Sequence, residues 1–235
     1  MERRDERVEL AGVPVRICAP SSGTVRATIL FYHGLGVDTE IQTPELHSLA
    51  DAGFRVIGVD AVGHGRRRWD DFVARFAPHR WSQSFAEVLD QSLAEIPTLV
   101  DVLEAEGLLG QAALGVAGIS MGGYISYGVP LVEPRVSAIC PIIGSPVYPV
   151  ESRYRPHDSP TRFARCSVLA QTAGADEIVA PWQARAFHEL LLRSFPERQG
   201  CYSYVEYAGA GHTVPEQDWY RLWDRVISFF EQRSC

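Results

Sequence analysis

A serine between two glycines, directly after an apolar strand-like run, is the feature that most constrains this 235-residue chain. Residues 114–119 are apolar or small, and they lead into the pentapeptide Gly-Ile-Ser-Met-Gly at 118–122, which a helical segment follows. In such a turn the glycines stand where a Cβ atom would collide with the neighbouring strand and helix, and the serine hydroxyl is pushed out above the sheet. The motif therefore predicts an α/β fold with Ser120 as a nucleophile.

An acidic residue and a histidine follow along the chain in the order that this arrangement requires. The apolar run 168–173 ends in a turn that carries Asp176, and the strand-like run 202–207 leads to a glycine-rich loop that carries His212. The order Ser, Asp, His is that of the α/β-hydrolase arrangement and differs from the orders in the chymotrypsin and subtilisin folds. We predict a catalytic triad of Ser120, Asp176 and His212.

Other assignments of the acid and the base stay open at this point. One alternative makes Asp176 a helix N-cap and Glu177 the catalytic acid. We favour Asp176 because it follows the strand directly and its shorter side chain suits a buried hydrogen bond to His212. His33 and His64 are alternative bases, but each lies in a glycine-containing loop, where we expect a structural hydrogen bond instead.

Acyl transfer also needs backbone N–H donors for the oxyanion of the tetrahedral intermediate. The apolar run 27–32 opens into the loop His-Gly-Leu-Gly at 33–36. Glycines on both sides of Leu35 allow this loop to lie close to a substrate carbonyl. We predict that the oxyanion hole consists of the N–H groups of Leu35 and Met121, the latter directly after the nucleophile.

At these motifs the chain resembles the α/β-hydrolase superfamily, and most of all its small, lidless esterases that are similar to dienelactone hydrolases and prolyl oligopeptidases. The resemblance covers residues 8–231 and rests on the loop 33–36, on 53–60 with Gly-His-Gly at 63–65, on the serine turn, and on 174–176 and 211–212. Dienelactone hydrolases use a cysteine nucleophile, whereas this chain has Ser120. The resemblance therefore implies an ordinary serine esterase.

Strand-like and helix-like segments alternate, which predicts a mostly parallel, doubly wound sheet with an antiparallel N-terminal hairpin and no large cap domain. We expect one domain over residues 1–235. The predicted strands are 8–10, 13–18, 24–32, 54–60, 113–119, 136–143, 167–173 and 201–207. The predicted helices are 44–52, 84–106, one directly after Ser120, 181–194 and 216–231. Pro97 is expected to kink or divide the second helix, and the Pro- and Arg-rich segment 144–165 is either a crossover loop or a pocket wall.

The composition excludes several classes of protein. A net charge of −7 argues against nucleic-acid binding, and the chain has neither an apolar run of membrane-spanning length nor an apolar leader. Five cysteines without C-x-x-C spacing predict reduced thiols, and we expect a cytoplasmic protein. All 22 basic residues are arginine, as in proteins from GC-rich bacterial genomes, and the lack of lysine excludes Schiff-base enzymes and Ser-Lys dyads.

The sequence therefore predicts a serine hydrolase that cleaves small carboxylic esters through an acyl-enzyme and needs no cofactor and no metal. The expected partner is a small-molecule ester, and the oligomeric state stays open between monomer and homodimer. Alternatives are a peptidase or aminoacyl hydrolase of the prolyl-oligopeptidase type, and a non-hydrolytic acyltransferase or lyase.

Arg66–Arg68 could recognise an anionic group or form a solvated turn. The following aromatic residues could line an apolar pocket or belong to the core: Trp69, Phe72, Phe76, Trp81, Tyr148 and Trp182.

Overall fold

Eight strands form one mixed sheet in the computed structural model, which describes residues 3–109 and 114–232. The strands are β1 (Arg3–Leu10), β2 (Val13–Pro20), β3 (Thr28–Tyr32), β4 (Arg55–Val59), β5 (Leu114–Ile119), β6 (Val136–Ile142), β7 (Ser167–Ala173) and β8 (Tyr202–Tyr207). The helices are α1 (Thr43–Asp51), α2 (Phe72–Arg75), α3 (Trp81–Ala105), α4 (Met121–Val132), α5 (Pro181–Ser194) and α6 (Glu216–Glu231). The spatial order of the strands is β1-β2-β4-β3-β5-β6-β7-β8.

The direction of winding reverses beside β3, which lies between β4 and β5 and runs parallel to both. Tyr32, the last residue of β3, pairs with Gly118 near the end of β5. In open α/β sheets, ligands bind in the crevice at such a reversal, outside the carboxyl ends of the strands. The fold therefore brings the loop after β3 and the turn after β5 together at one edge of the sheet.

Helices cover both faces of the sheet, because the parallel strands are apolar on both sides. Successive residues of β3 point to opposite faces: Leu30 packs in the cluster that includes Leu93 of α3, and Phe31 in the cluster that includes Leu49 of α1. Buried residues of α4 and α5 belong to the first cluster and those of α6 to the second. This arrangement confirms the predicted doubly wound α/β-hydrolase fold.

The N-terminal hairpin is antiparallel as predicted, and β2 is also antiparallel to β4. However, β1 begins at Arg3, five residues before the predicted start. Its polar residues are largely exposed at the edge of the sheet, so they lack the alternating pattern that reveals a strand. The guanidinium of Arg16 on β2 donates to both oxygens of Asp5 at 2.8 and 2.6 Å, which ties the edge strand to its neighbour.

Other element boundaries also differ from the prediction. Strand β3 begins at Thr28 instead of residue 24, and α3 continues through Pro97 as one helix. Buried residues on both sides of Pro97, such as Ile96 and Leu99, pack in the core and hold the helix together across the missing N–H. The predicted residue 113 lies outside the described residues. The single-domain organisation stays a prediction.

The segment 144–165 contains two short 3-10 helices, Pro156–Asp158 and Pro160–Phe163, and no large cap is built from it. Three cysteines are buried and are not disulfide-bonded: Cys18, Cys140 and Cys166. Cys201 is disulfide-bonded, which corrects the expectation of uniformly reduced cysteines, and Cys235 lies outside the described residues. Within 3–109 and 114–232, no helix combines the length and the apolar character that crossing a membrane requires.

Candidate active site

Ser120 lies in the turn between β5 and α4 with φ 54° and ψ −111°, a backbone conformation that is strained for any residue except glycine. Its backbone N–H donates to the carbonyl of Ile142 at 2.8 Å. A Cβ atom on Gly118 would overlap the backbone of Gly122, and one on Gly122 would overlap the carbonyl of Tyr32. Only glycine at these two positions allows the tight turn, which is the reason for the sequence motif.

Ser120, His212 and Asp176 form a continuous chain of hydrogen bonds. Ser120 Oγ lies 3.0 Å from His212 Nε2, and His212 Nδ1 lies 2.8 Å from Asp176 Oδ2. The other carboxylate oxygen, Asp176 Oδ1, accepts hydrogen bonds from the N–H groups of Ile178 and Val179, each at 2.9 Å. A proton on Nδ1 that is donated to Asp176 leaves Nε2 free to accept the proton of the serine hydroxyl.

Burial and backbone contacts fix the carboxylate in this chain. The Asp176 side chain is only 1% exposed, whereas the adjacent Glu177 is exposed. Asp176 follows β7 and His212 follows β8, so two neighbouring parallel strands present them at the same edge of the sheet. The structure therefore brings Asp176, and not Glu177, to the imidazole.

The two alternative bases are hydrogen-bonded within the protein and are both fully buried. His33 Nδ1 lies 2.7 Å from the carbonyl of Gly34, and its Nε2 accepts the N–H of Ala61 at 3.1 Å. His64 Nδ1 lies 2.9 Å from the carbonyl of Val62. Burial lowers the pKa of His33 and lowers that of His64 to about 4, so both rings are neutral near pH 7. They hold loops in place.

The loop after β3 passes directly beside Ser120. A Cβ atom built on Gly34 would lie 3.9 Å from the Cβ of Ser120. In the described part of the chain no acceptor engages the N–H of Leu35, and the N–H of Met121, at the first position of α4, has no acceptor within the helix. Two free N–H donors thus flank Ser120, and one of them stands at the positive end of a helix.

An apolar cavity of about 860 Å³ opens above Ser120 and His212. Its walls come from the loop after β3, from α3, α4 and α6, and from the loops that carry Asp176 and His212. Most of the lining side chains are aliphatic or aromatic, among them Val37, Ile41, Phe85, Tyr124, Val179 and Trp219. A cavity of this size and character fits a small organic molecule.

Several other candidate contacts lie outside the cavity. The guanidinium of Arg67 binds both carboxylate oxygens of Glu95 at 2.8 and 2.7 Å, and that of Arg68 stacks 3.9 Å from the centre of the Phe72 ring. Among the described residues, neither Arg66–Arg68 nor the segment 144–165 contributes to the lining.

Of the six aromatic residues singled out in the sequence, only Trp81 lines the cavity. The cavity is also lined by Phe85, Tyr124 and Trp219, which the sequence analysis did not propose as pocket residues. A usable signal exists for two of them, since Phe85 follows Trp81 and Tyr124 follows Ser120 by one helical turn, and residues at that spacing share a helix face.

Comparison with known proteins identifies the family of this chain. The family described as "Serine aminopeptidase, S33" matches residues 23–168. The chain belongs to this family, within the α/β-hydrolase superfamily. The esterase YjfP of Escherichia coli is 32% identical over 142 residues, which are 60% of this chain and 55% of that protein. The match thus spans about half the length of this curated relative.

Two solved structures share the fold. A protein from Thermus thermophilus superposes with a TM-score of 0.80 at 23% identity, and the alignment covers 98% of both chains. A puromycin-hydrolyzing peptidase from Mycobacterium tuberculosis superposes with a TM-score of 0.71 at 19% identity, covering 98% of this chain and 39% of that one. At these identities the likeness shows the fold alone.

Proposed function

We propose that this protein is a serine hydrolase that cleaves small carboxylic esters through an acyl-enzyme. The observation that carries the proposal is the hydrogen-bonded chain from Asp176 through His212 to Ser120, which ends at the floor of the apolar cavity. The similarity to an esterase supports the same reaction class.

In the first half of the reaction, His212 Nε2 takes the proton of Ser120 as Oγ attacks the carbonyl carbon of the ester. Asp176 holds the proton on Nδ1 and stabilises the imidazolium that forms, without taking the proton itself. The N–H groups of Leu35 and Met121 donate to the oxyanion, where such preorganised donors are worth roughly 3–4 kcal/mol each.

In the second half, the imidazolium of His212 gives its proton to the departing alkoxide, and the acyl group stays on Ser120 Oγ. A water molecule then takes the place of the alcohol, is deprotonated by His212 and attacks the acyl carbonyl. Collapse of this second tetrahedral intermediate releases the carboxylic acid and restores the serine hydroxyl. In both halves of the reaction, His212 takes up and releases the protons that are transferred.

A second candidate reaction is the hydrolysis of aminoacyl substrates. Glu216 is the one acidic side chain among the described residues that line the cavity, and a carboxylate there would pair with the free amino group of such a substrate. The description of the matched family as a serine aminopeptidase is in line with this reaction. A non-hydrolytic acyl transfer would use the same acyl-enzyme with an alcohol in place of water.

The test is the steady-state hydrolysis of p-nitrophenyl butyrate by the Ser120→Ala variant. We expect kcat to fall by roughly 10⁴–10⁶, since loss of the nucleophile removes the acyl-enzyme route. Ser203→Ala is the matched control, because this serine is exposed and lies outside the cavity. A Ser120→Ala protein that folds and keeps more than a tenth of the wild-type rate contradicts the proposal. Faster cleavage of aminoacyl p-nitroanilides than of esters would favour the second candidate.

A further inference from the structure

We propose that the cavity selects uncharged, apolar acyl groups, and that the aromatic wall formed by Trp81, Phe85 and Tyr124 sets this preference. The inference rests on the proposed function, because it names the class of ester that the candidate nucleophile would receive. It is carried by the packing of the wall, by the exposed apolar residues at the mouth of the cavity, and by the distribution of charge.

The aromatic wall runs from the nucleophile towards the solvent. Tyr124 lies one turn after Ser120 on α4, and its ring packs edge-on against that of Phe85 with centroids 5.1 Å apart at 87°. Phe85 in turn stacks on Trp81, with centroids 4.7 Å apart at 20°. Trp81 is the first residue of α3 and is 39% exposed. The wall therefore ends at the protein surface. An extended chain on Ser120 can therefore lie along these three rings.

Apolar side chains also surround the mouth of the cavity. Ile41 and Ile178 both line the cavity and yet are 62% and 71% exposed. Large aliphatic side chains that stand together around a concave opening mark a surface that a ligand covers. With Trp81, they continue the apolar lining outward, so that the bound group has an apolar surface beyond the cavity floor.

The charges around the cavity disfavour an anionic acyl group. None of the 22 arginines belongs to the described lining, and Glu216 adds a negative charge. A carboxylate at the end of the acyl chain would lose water without gaining a cationic partner, which is costly for a charged group. The Arg66–Arg68 turn does not offer that partner, because none of its three arginines lines the cavity and Arg67 is already paired with Glu95.

The experiment measures kcat/KM for p-nitrophenyl esters from acetate to decanoate, together with the mono-p-nitrophenyl ester of adipic acid. Burial of one methylene group contributes about 0.8 kcal/mol, or about fourfold in binding. We therefore expect kcat/KM to rise by about two- to fourfold per methylene up to octanoate. The adipate half-ester, which has the chain length of hexanoate and a terminal carboxylate, should react at least about 30 times more slowly than hexanoate.

Two tryptophan variants test the wall itself. Trp81→Ala should lower kcat/KM for octanoate by about tenfold and that for acetate by less than about threefold, because acetate does not reach the ring. Trp182→Ala is the matched control, since this tryptophan is 60% exposed and lies outside the cavity. Equal losses for octanoate and acetate in Trp81→Ala, or equal effects of the two variants, would overturn the role of the wall.

The outcomes separate this inference from the proposed function. A flat dependence on chain length, or an adipate half-ester as fast as hexanoate, overturns the inference, while the proposed function stands as long as Ser120→Ala is inactive. If no ester is hydrolysed, or if hydrolysis does not depend on Ser120, the proposed function fails and the inference falls with it.

Discussion

His64 makes the stability of this protein depend on pH. The ring is fully buried, with His33 at 5.4 Å and Phe72 at 5.0 Å between ring centroids. Its Nδ1 is hydrogen-bonded to the carbonyl of Val62, and its Nε2 contacts no hydrogen-bond partner in the part of the chain that the structure describes. Burial of the ring disfavours the imidazolium, which lowers the pKa of His64 from 6.5 to about 4.

The sign of the effect follows from proton binding. Between pH 6.5 and about 4, the unfolded chain carries a proton on His64 and the native protein does not, so acidification favours unfolding. The stabilising contribution is complete above pH 6.5 and is lost progressively as the pH falls through this window. One pKa unit corresponds to about 1.4 kcal/mol, so the free energy of unfolding should drop by about 3 kcal/mol.

The assay is urea unfolding of wild-type protein and of His64→Asn at several pH values from 7.5 to 4.5. The asparagine amide keeps a donor near the carbonyl of Val62 but cannot titrate, so the variant should lose much less stability over this range. Some dependence on pH should remain, because the pKa of the buried His33 is lowered as well. His79→Asn is the control, since His79 is exposed. Parallel pH profiles of wild type and His64→Asn would show that His64 is not the group that destabilises the protein in acid.

Two further predictions concern the acid and the serine turn. Asp176→Asn should lower kcat by roughly 10⁴ by favouring the wrong tautomer of the catalytic histidine, whereas Glu177→Gln should change it by less than about tenfold; the reverse result in ester kinetics would make Glu177 the acid. Gly122→Ala should cost more than about 4 kcal/mol in urea unfolding or prevent folding, because its Cβ would overlap the carbonyl of Tyr32. Gly200→Ala should change stability by less than about 0.5 kcal/mol, since a Cβ there meets nothing within 4 Å, and equal effects of the two alanines would refute the steric argument.

Features that depend on local chemistry could be predicted from the sequence. The central strands are apolar on both faces, and α5 and α6 begin and end where their patterns indicate. The turn that carries Ser120 could be predicted from the glycines on either side of it, Gly118 and Gly122. Strand β1 is different, because most of it is polar and exposed, and its extent depends on pairing with β2 and on the ion pair of Asp5 with Arg16.

The walls of the cavity could not be predicted with the same methods. Phe85 lies on the buried face of α3, and Tyr124 lies on α4, which is buried on nearly all sides, so an aromatic residue at either position of the sequence is equally compatible with core packing. Only the crossing of α3 over α4 decides that these rings face the cavity, and that crossing depends on contacts between residues far apart in the chain. The same holds for Arg67, whose partner Glu95 lies 28 residues away.

Covalent labelling tests the proposed role of Ser120 as the nucleophile of an acyl-transfer site. The most direct measurement is the mass of the intact protein after incubation with a fluorophosphonate, followed by peptide mapping. We expect one adduct per chain, located on Ser120, with labelling slowed by p-nitrophenyl butyrate and absent in Ser120→Ala. An adduct on another residue, or unchanged labelling of Ser120→Ala, would contradict it.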